Sequence, residues 1–283
     1  MATGRLAPTP SGGLHLGNAR TFLIAWLSAR AAGGRVVLRI DDLDQPRVKP
    51  GYTEQAIEDL CWLGLDWDGM PVYQTQRSAA YTAVLDMLRA ADLVYPSFAS
   101  RRELARSTQA PHAGEEQVGK GRTPAWRFRA PATPVTFTDA LHGACASVAD
   151  DFIVCRNDGI AAYQLATVVD DHFQGVTEVV RGDDLLSSTP RQILLARALG
   201  YASPRYLHVP LVLDNGGERM AKRRDSTRLA ALREAGISAA QVIGTLAVSC
   251  GWAKPGEHVM PAELIGRFDL AKLPHAAVRL TGP

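Results

Sequence analysis

An α/β architecture around one parallel sheet, built by two separate stretches of chain, is what the sequence predicts, and three observations carry it. Short apolar runs alternate with longer periodic stretches from Arg5 to Leu63, the pattern of strands joined by crossover helices. The first run is followed by a Pro/Gly-rich turn that opens directly into a periodic stretch. After a less regular interval, the same alternation resumes near Phe152.

Arg5 to Ala7 reads as a buried strand, Pro8-Thr9-Pro10-Ser11-Gly12-Gly13 as a turn, and Leu16 to Arg30 as a helix stopped by Gly33-Gly34. Val36 to Ile40 is the next strand and Thr53 to Leu63 the next helix. Tyr73 to Arg77 leads into a helix from Ser78 to Ala91. In the insertion, Trp126 to Arg129 and Val135 to Phe137 alternate as strands do, and the polar run from Gln109 to Gly121 has the composition of a disordered loop. The second half brings Ala161 to Val169 as helix, Val176 to Val180 as strand, Thr189 to Leu199 as helix before Gly200, and Leu211 to Leu213 as strand. Asp214-Asn215-Gly216-Gly217 is a turn into a basic loop with Arg219, Lys222, Arg223 and Arg224, followed by helices near Arg228 to Ala235 and Ala239 to Cys250. The expected division is a first core half over 1–95, an inserted subdomain over 96–150, a second core half with the basic loop over 151–225, and a helical region over 226–283.

The 283 residues are 46% hydrophobic and 21% charged, ordinary for a globular chain able to bury a large core. A net charge of +2 means that any nucleic acid would have to be held by local patches. No apolar run of spanning length and no leader-like start is present, so no membrane partner and a cytoplasmic location are expected. Cys61, Cys145, Cys155 and Cys250 are scattered without a C-x-x-C pair, which argues against a disulfide framework or a sequence-local zinc site. They read mostly as small buried apolar residues.

Two motifs carry chemistry. His15-Leu16-Gly17-Asn18 stands at a helix start behind Gly12 and Gly13, where N–H groups and the positive end of the helix dipole suit a polyphosphate. His15 and Asn18, three residues apart, share one face and can both donate to phosphate oxygens. A histidine that merely caps the helix fits the same spacing. About two hundred residues later Met220-Ala221-Lys222-Arg223 offers a point charge for a leaving pyrophosphate, although such a cluster alone also reads as solvated surface.

These blocks, together with Leu38-Arg39-Ile40-Asp41-Asp42-Leu43-Asp44 and Arg47, Asp170-Asp171-His172, and Val180-Arg181-Gly182-Asp183-Asp184-Leu185, resemble in order and spacing the class I aminoacyl-tRNA synthetases of the glutamyl type, whose signatures are called HIGH and KMSKS. The resemblance runs from Arg5 to about Asp225. It implies a Rossmann-type class I core with an inserted acceptor-type subdomain and a short helical C-terminal region. It also implies ATP, with Mg2+, as co-substrate. His15, Gly17, Asn18 and Lys222 are assigned to ATP, with His15, Asn18 and Lys222 catalytic. Arg5, Thr9, Asp41, Tyr163 and Arg181 are assigned to L-glutamate. Within the family, the short chain and Asp170 to Thr177 are most similar to the branch that esterifies the queuosine base of tRNA(Asp) in place of a tRNA 3′ end. Only about sixty residues follow Lys222, too few for the large anticodon-binding domain of the longer relatives.

Physics supports part of this, since a carboxylate substrate asks for a fixed guanidinium such as Arg5 or Arg181. The alternative is structural pairing of these arginines with Asp42, Asp44, Asp183 or Asp184, and a core role for Tyr163. Two positions depart from the family: Asp41 stands where glutamate is usual, one methylene shorter, and Ala221 replaces the serine before the lysine. The stretch from Tyr95 to Arg122 contains no cysteine where many members of this branch place a zinc site, and His112 is its lone imidazole. No zinc is expected, and no obligate protein partner. Two other classes of function share the core: an amino-acid ligase acting on a carrier protein or small molecule, and a catalytically silent RNA-binding paralogue.

Overall fold

The computed structural model describes residues 1–98, 123–214, 217 and 228–280. The basic loop with Lys222, the 99–122 segment with His112, and Ala221 lie outside the described residues.

Strand β1 (Thr3–Leu6) pairs in parallel with β2 (Arg35–Ile40), and β2 with β3 (Val72–Tyr73). Helix α1 (Leu16–Ala31) joins β1 to β2, and α2 (Tyr52–Trp62) joins β2 to β3. Gly33 takes φ +62° directly after α1, the left-handed turn that stops the helix. Helix α1 shows little sidedness because most of it is buried, from Leu16 through Leu23 and Leu27 to Ala29; a helix packed on several sides has no polar face to alternate with. A short 3-10 turn at Gln74–Arg77 leads into α3 (Ser78–Ala90).

Strands β4 (Val94–Ser97), β5 (Ala125–Phe128) and β8 (Phe152–Cys155) form an antiparallel sheet in the order β4-β5-β8. Between β5 and β8 the chain makes the hairpin β6 (Val135–Asp139) and β7 (Gly143–Ser147). Helix α4 (Tyr163–Phe173), β9 (Glu178–Gly182), α5 (Thr189–Ala198) and β10 (Arg205–Val209) complete the second half, with β10 parallel to β9 and touching β6 at Tyr206 and Asp139. The strands between 96 and 150 therefore do not close on themselves: β5 pairs with β8, and the β6–β7 hairpin extends the second-half sheet in the order β7-β6-β10-β9. Strand β10 has no counterpart among the elements read from the sequence. Its core members Tyr206, Leu207 and Val209 are interrupted by a buried histidine, which breaks the apolar run that marks a buried strand.

Beside β1 lies β9. Thr177 N donates to Thr3 O at 2.9 Å and Arg5 Nη1 to Val180 O at 2.9 Å. The spatial order is thus β3-β2-β1-β9-β10-β6, with the crossovers running one way from β1 and the other way from β9. The reversal falls between β1 and β9, where doubly wound sheets bind ligands at the carboxyl ends of their strands.

Alternate residues of the sheet face two cores. Leu6, Val36, Leu38, Val180 and Leu207 pack with α1 and with α7 (Ala239–Ser249). Val37, Val179 and Tyr206 pack with α3, α4 and α5. The final elements are α6 (Leu229–Glu234), which precedes α7, then β11 (Val212–Leu213) paired in parallel with β12 (Val278–Arg279), and α8 (Pro261–Leu264). The C-terminal segment so holds the strand that enters the basic loop.

Candidate active site at the carboxyl ends of β1, β2 and β9

His15 is the N-cap of α1, and its Nδ1 accepts from the backbone N–H of Gly17 at 3.1 Å and of Asn18 at 3.4 Å. Asn18 Oδ1 returns the bond to His15 N at 3.2 Å, closing a capping box. Because Nδ1 accepts, Nε2 carries the proton of the neutral ring. Burial pushes the imidazole pKa down to about 4, so the ring is neutral near pH 7. The capping role and the donor role are therefore compatible, one on each nitrogen. Gly17 makes this possible: a Cβ there would stand 3.0 Å from both Nδ1 and Cε1 of His15, and 3.5 Å from Cβ of Val212.

Both described ends of the basic loop meet this helix start. Val212 stands beside Gly17. On the other side His15 forms an antiparallel bridge with Arg228, and Leu229 N donates to Leu14 O at 2.9 Å. Arg228 Cδ, Gln55 Oε1 and the Tyr52 ring face Gly13, at the edge of a cavity of about 470 Å³ between α2 and α6.

The proposed amino-acid residues gather at the neighbouring strand ends. Arg5 is buried at the end of β1, with Nε 3.6 Å from Asp171 Oδ1. Burial and the nearby charges of Arg39 and Arg181 pull its pKa below the usual guanidinium value, against the pull of Asp171. Arg39, fully buried at the end of β2, reaches Asp171 Oδ1 at 2.5 Å and Asp41 Oδ1 at 2.6 Å. Burial raises the Asp41 carboxyl above its ordinary range, although Arg39 opposes it. Asp41 N donates to Pro8 O at 2.9 Å, which sets the exposed Thr9 next to the end of β2. Tyr163 opens α4, is 41% exposed, and acts electrostatically on Arg5; that exposure speaks against a core role.

Arg181, at the end of β9, is buried and donates from Nε to His208 Nε2 at 3.0 Å, from Nη1 to Gln192 Oε1 at 2.7 Å and from Nη2 to Thr189 Oγ1 at 2.8 Å. Two of the structural partners open to these arginines in the sequence are engaged elsewhere: Asp42 binds Thr75 N and Oγ1 at 2.9 and 2.7 Å, and Asp44 pairs with Arg47 and Arg156. Sequence reasoning missed Arg39, Asp171, Thr189, Gln192 and His208. Arg39 and Asp171 stand inside quoted motifs, where an arginine and an aspartate on facing strands and helices are a pairing signal; nothing in the sequence points to His208.

Among the described residues no group of three or more His, Cys, Asp or Glu side chains is placed to hold a metal ion. Cys155 and Cys250 are buried, whereas Cys61 is exposed and Cys145 half-buried, so only half of the thiols are core residues.

A helix N-terminus and buried arginines thus stand together at the switch point of a parallel sheet, where doubly wound folds bind nucleotides. The family of tRNA synthetases class I (E and Q), catalytic domain, matches residues 1–273, and the chain belongs to it. A glutamyl-Q tRNA(Asp) synthetase of Symbiobacterium thermophilum is 46% identical, with 99% of this chain and 96% of that protein aligned. One of Nocardia farcinica is also 46% identical, over 98% of this chain and 93% of that protein. Among solved structures, a glutamate tRNA ligase of Elizabethkingia meningosepticum, in complex with its amino acid, superposes with a TM-score of 0.85 at 28% identity, covering 99% of this chain and 67% of that one. The methionyl-tRNA synthetase of Mycobacterium tuberculosis shares the fold, with a TM-score of 0.58 at 12% identity. Among the described residues no helix is long and apolar enough to cross a membrane.

Proposed function

We propose that this protein activates L-glutamate with ATP and transfers the glutamyl group to the queuosine base of tRNA(Asp). The carrying observation is the convergence of the buried Arg5 and Arg181 at the carboxyl ends of adjacent strands, with α1, capped by the neutral His15, following the first of them. An oxygen of the glutamate α-carboxylate attacks the α-phosphorus of ATP, the bond to the bridging oxygen breaks, and pyrophosphate leaves. The Nε2–H of His15, the side-chain NH2 of Asn18 and the positive dipole end of α1 stabilise the charge that grows on the α-phosphate. Gly17 keeps the imidazole folded over that turn, and Lys222 carries the charge that meets the departing pyrophosphate. Magnesium arrives with the ATP phosphates. Arg5 and Arg181 hold the carboxylate end of the substrate, and Thr9, Asp41 and Tyr163 its α-ammonium side. In the second step a hydroxyl of the queuosine base attacks the acyl carbon and AMP leaves. The reading places the protein in the cytoplasm with its tRNA.

The test is exchange of labelled pyrophosphate into ATP with each amino acid in turn, without tRNA. Exchange with glutamate alone supports the reading, and no exchange with any amino acid overturns it. Transfer to tRNA(Asp) with and without queuosine then separates this acceptor from a carrier protein or small molecule.

A further inference from the structure

We propose that Asp139, His208 and Thr189 are positioning residues that lock the Arg181 guanidinium in a single pose, and that this locked pose lets the pocket take a γ-carboxylate and refuse the amide of glutamine. The inference rests on the reading of Arg181 as a glutamate ligand.

Arg181 can only donate, so its Nε–H requires His208 Nε2, 3.0 Å away, to be an acceptor. The proton of the neutral ring then sits on Nδ1 and is donated to Asp139 Oδ2 at 2.7 Å. Asp139 is held in turn, since its Oδ1 accepts from Leu141 N and His142 N, both at 3.0 Å, and its Oδ2 also accepts from His208 N. Burial and the adjacent Arg181 keep His208 neutral against the pull of Asp139. The chain of bonds thus runs from the β6–β7 turn through β10 to β9, with Asp139, His208 and Arg181 all buried. Thr189 Oγ1 and Gln192 Oε1 take one bond from each Nη, and the Tyr206 ring lies 5.3 Å from the guanidinium carbon.

Three of the five N–H groups are therefore spent on the protein, and the two left over belong to a cation that cannot turn. A carboxylate accepts from both. A glutamine amide offers one oxygen and one NH2, so one of its contacts sets donor against donor, and a guanidinium free to rotate would relieve that conflict. A locked one does not.

The experiment compares the wild type with His208→Gln, His208→Asn and Thr189→Val in pyrophosphate exchange with glutamate and with glutamine, with melting temperatures in parallel. The glutamine side chain reaches the place of Nε2 and can still accept from Arg181; the asparagine side chain reaches only the place of Nδ1. His208→Gln is expected to keep KM for glutamate within about threefold of the wild type. His208→Asn and Thr189→Val are expected to raise it about tenfold with kcat within about threefold, and to lower the glutamate-over-glutamine preference by a similar factor. Lower melting temperatures with KM and preference unchanged would reduce the network to a structural one and overturn the proposal. If His208→Asn does not fold, Thr189→Val, which leaves the Asp139–His208 bond intact, decides the matter. A wild type that exchanges with no amino acid refutes the underlying reading, whereas a glutamate-specific wild type with unresponsive variants refutes this inference alone.

Discussion

His15 caps α1 through Nδ1, and that bond decides which nitrogen is available to a phosphate. Asparagine is also a good cap, so His15→Asn separates the two roles. Thermal stability at pH 8 should stay within about 0.5 kcal/mol, while the pyrophosphate exchange rate falls on the order of a hundredfold. Gly17→Ala should lower kcat about tenfold or more, because the added methyl pushes the ring off its cap. The pH dependence has a definite sign. The folded-state pKa of His15, about 4, lies below the unfolded value near 6.5, so the unfolded chain binds the extra proton first. The full contribution is present above pH 6.5 and is lost as the pH falls toward 4. Denaturation midpoints measured between pH 8 and 4 should show the wild type losing ground to His15→Asn across that window and running parallel below it. Asp41, tied to Arg39 and one methylene short of the family glutamate, gives a further test: Asp41→Glu should lower KM for glutamate without changing the melting temperature, as seen by steady-state exchange.

Helices α2 and α6 meet at Asp59, whose carboxylate is fully buried with neither oxygen hydrogen-bonded, and whose nearest cation is Arg233 Nη2 at 3.9 Å. Burial raises its pKa to about 6. Here the folded state binds the proton more tightly than the unfolded one, so the stability contribution is present below about pH 4 and is lost as the pH rises through 6. Asp59→Asn should therefore stabilise the protein at pH 8 by about 2 kcal/mol, read as a shift in denaturant midpoint, with the gain gone at pH 4. Helix α6 carries Leu229, bonded to Leu14 ahead of His15, so this contact bears on the anchor of the basic loop. At this scale the sequence was legible for α1, α2, α3, α5 and α7 and for the strand β11, read as Leu211 to Leu213, and illegible for β3 and β12, each two residues long. Strands that short carry no periodicity; they exist because a neighbour supplies the other half of their hydrogen bonds.

For the molecule as a whole, the gathering of Arg5 and Arg181 at the carboxyl ends of β1 and β9 predicts selective ligand stabilisation. L-glutamate at a hundred times its Kd should add about 2.7 kcal/mol and raise the melting temperature on the order of 5 °C, while L-glutamine at the same concentration should not. Differential scanning calorimetry distinguishes the two. What the sequence determined by itself was the local alphabet of this protein: the glycine turn opening into a capped helix, the two signature motifs and the alternation that calls for a parallel sheet, all properties of residues close together along the chain. What only the tertiary structure decided was which charges meet. The pairing of Arg39 with Asp171, the β6–β7 hairpin joined to β10, and the Asp139–His208–Arg181 line link residues 27 to 132 positions apart. Such contacts follow from strand order and burial, because a charge removed from water must find its partner wherever the fold places one.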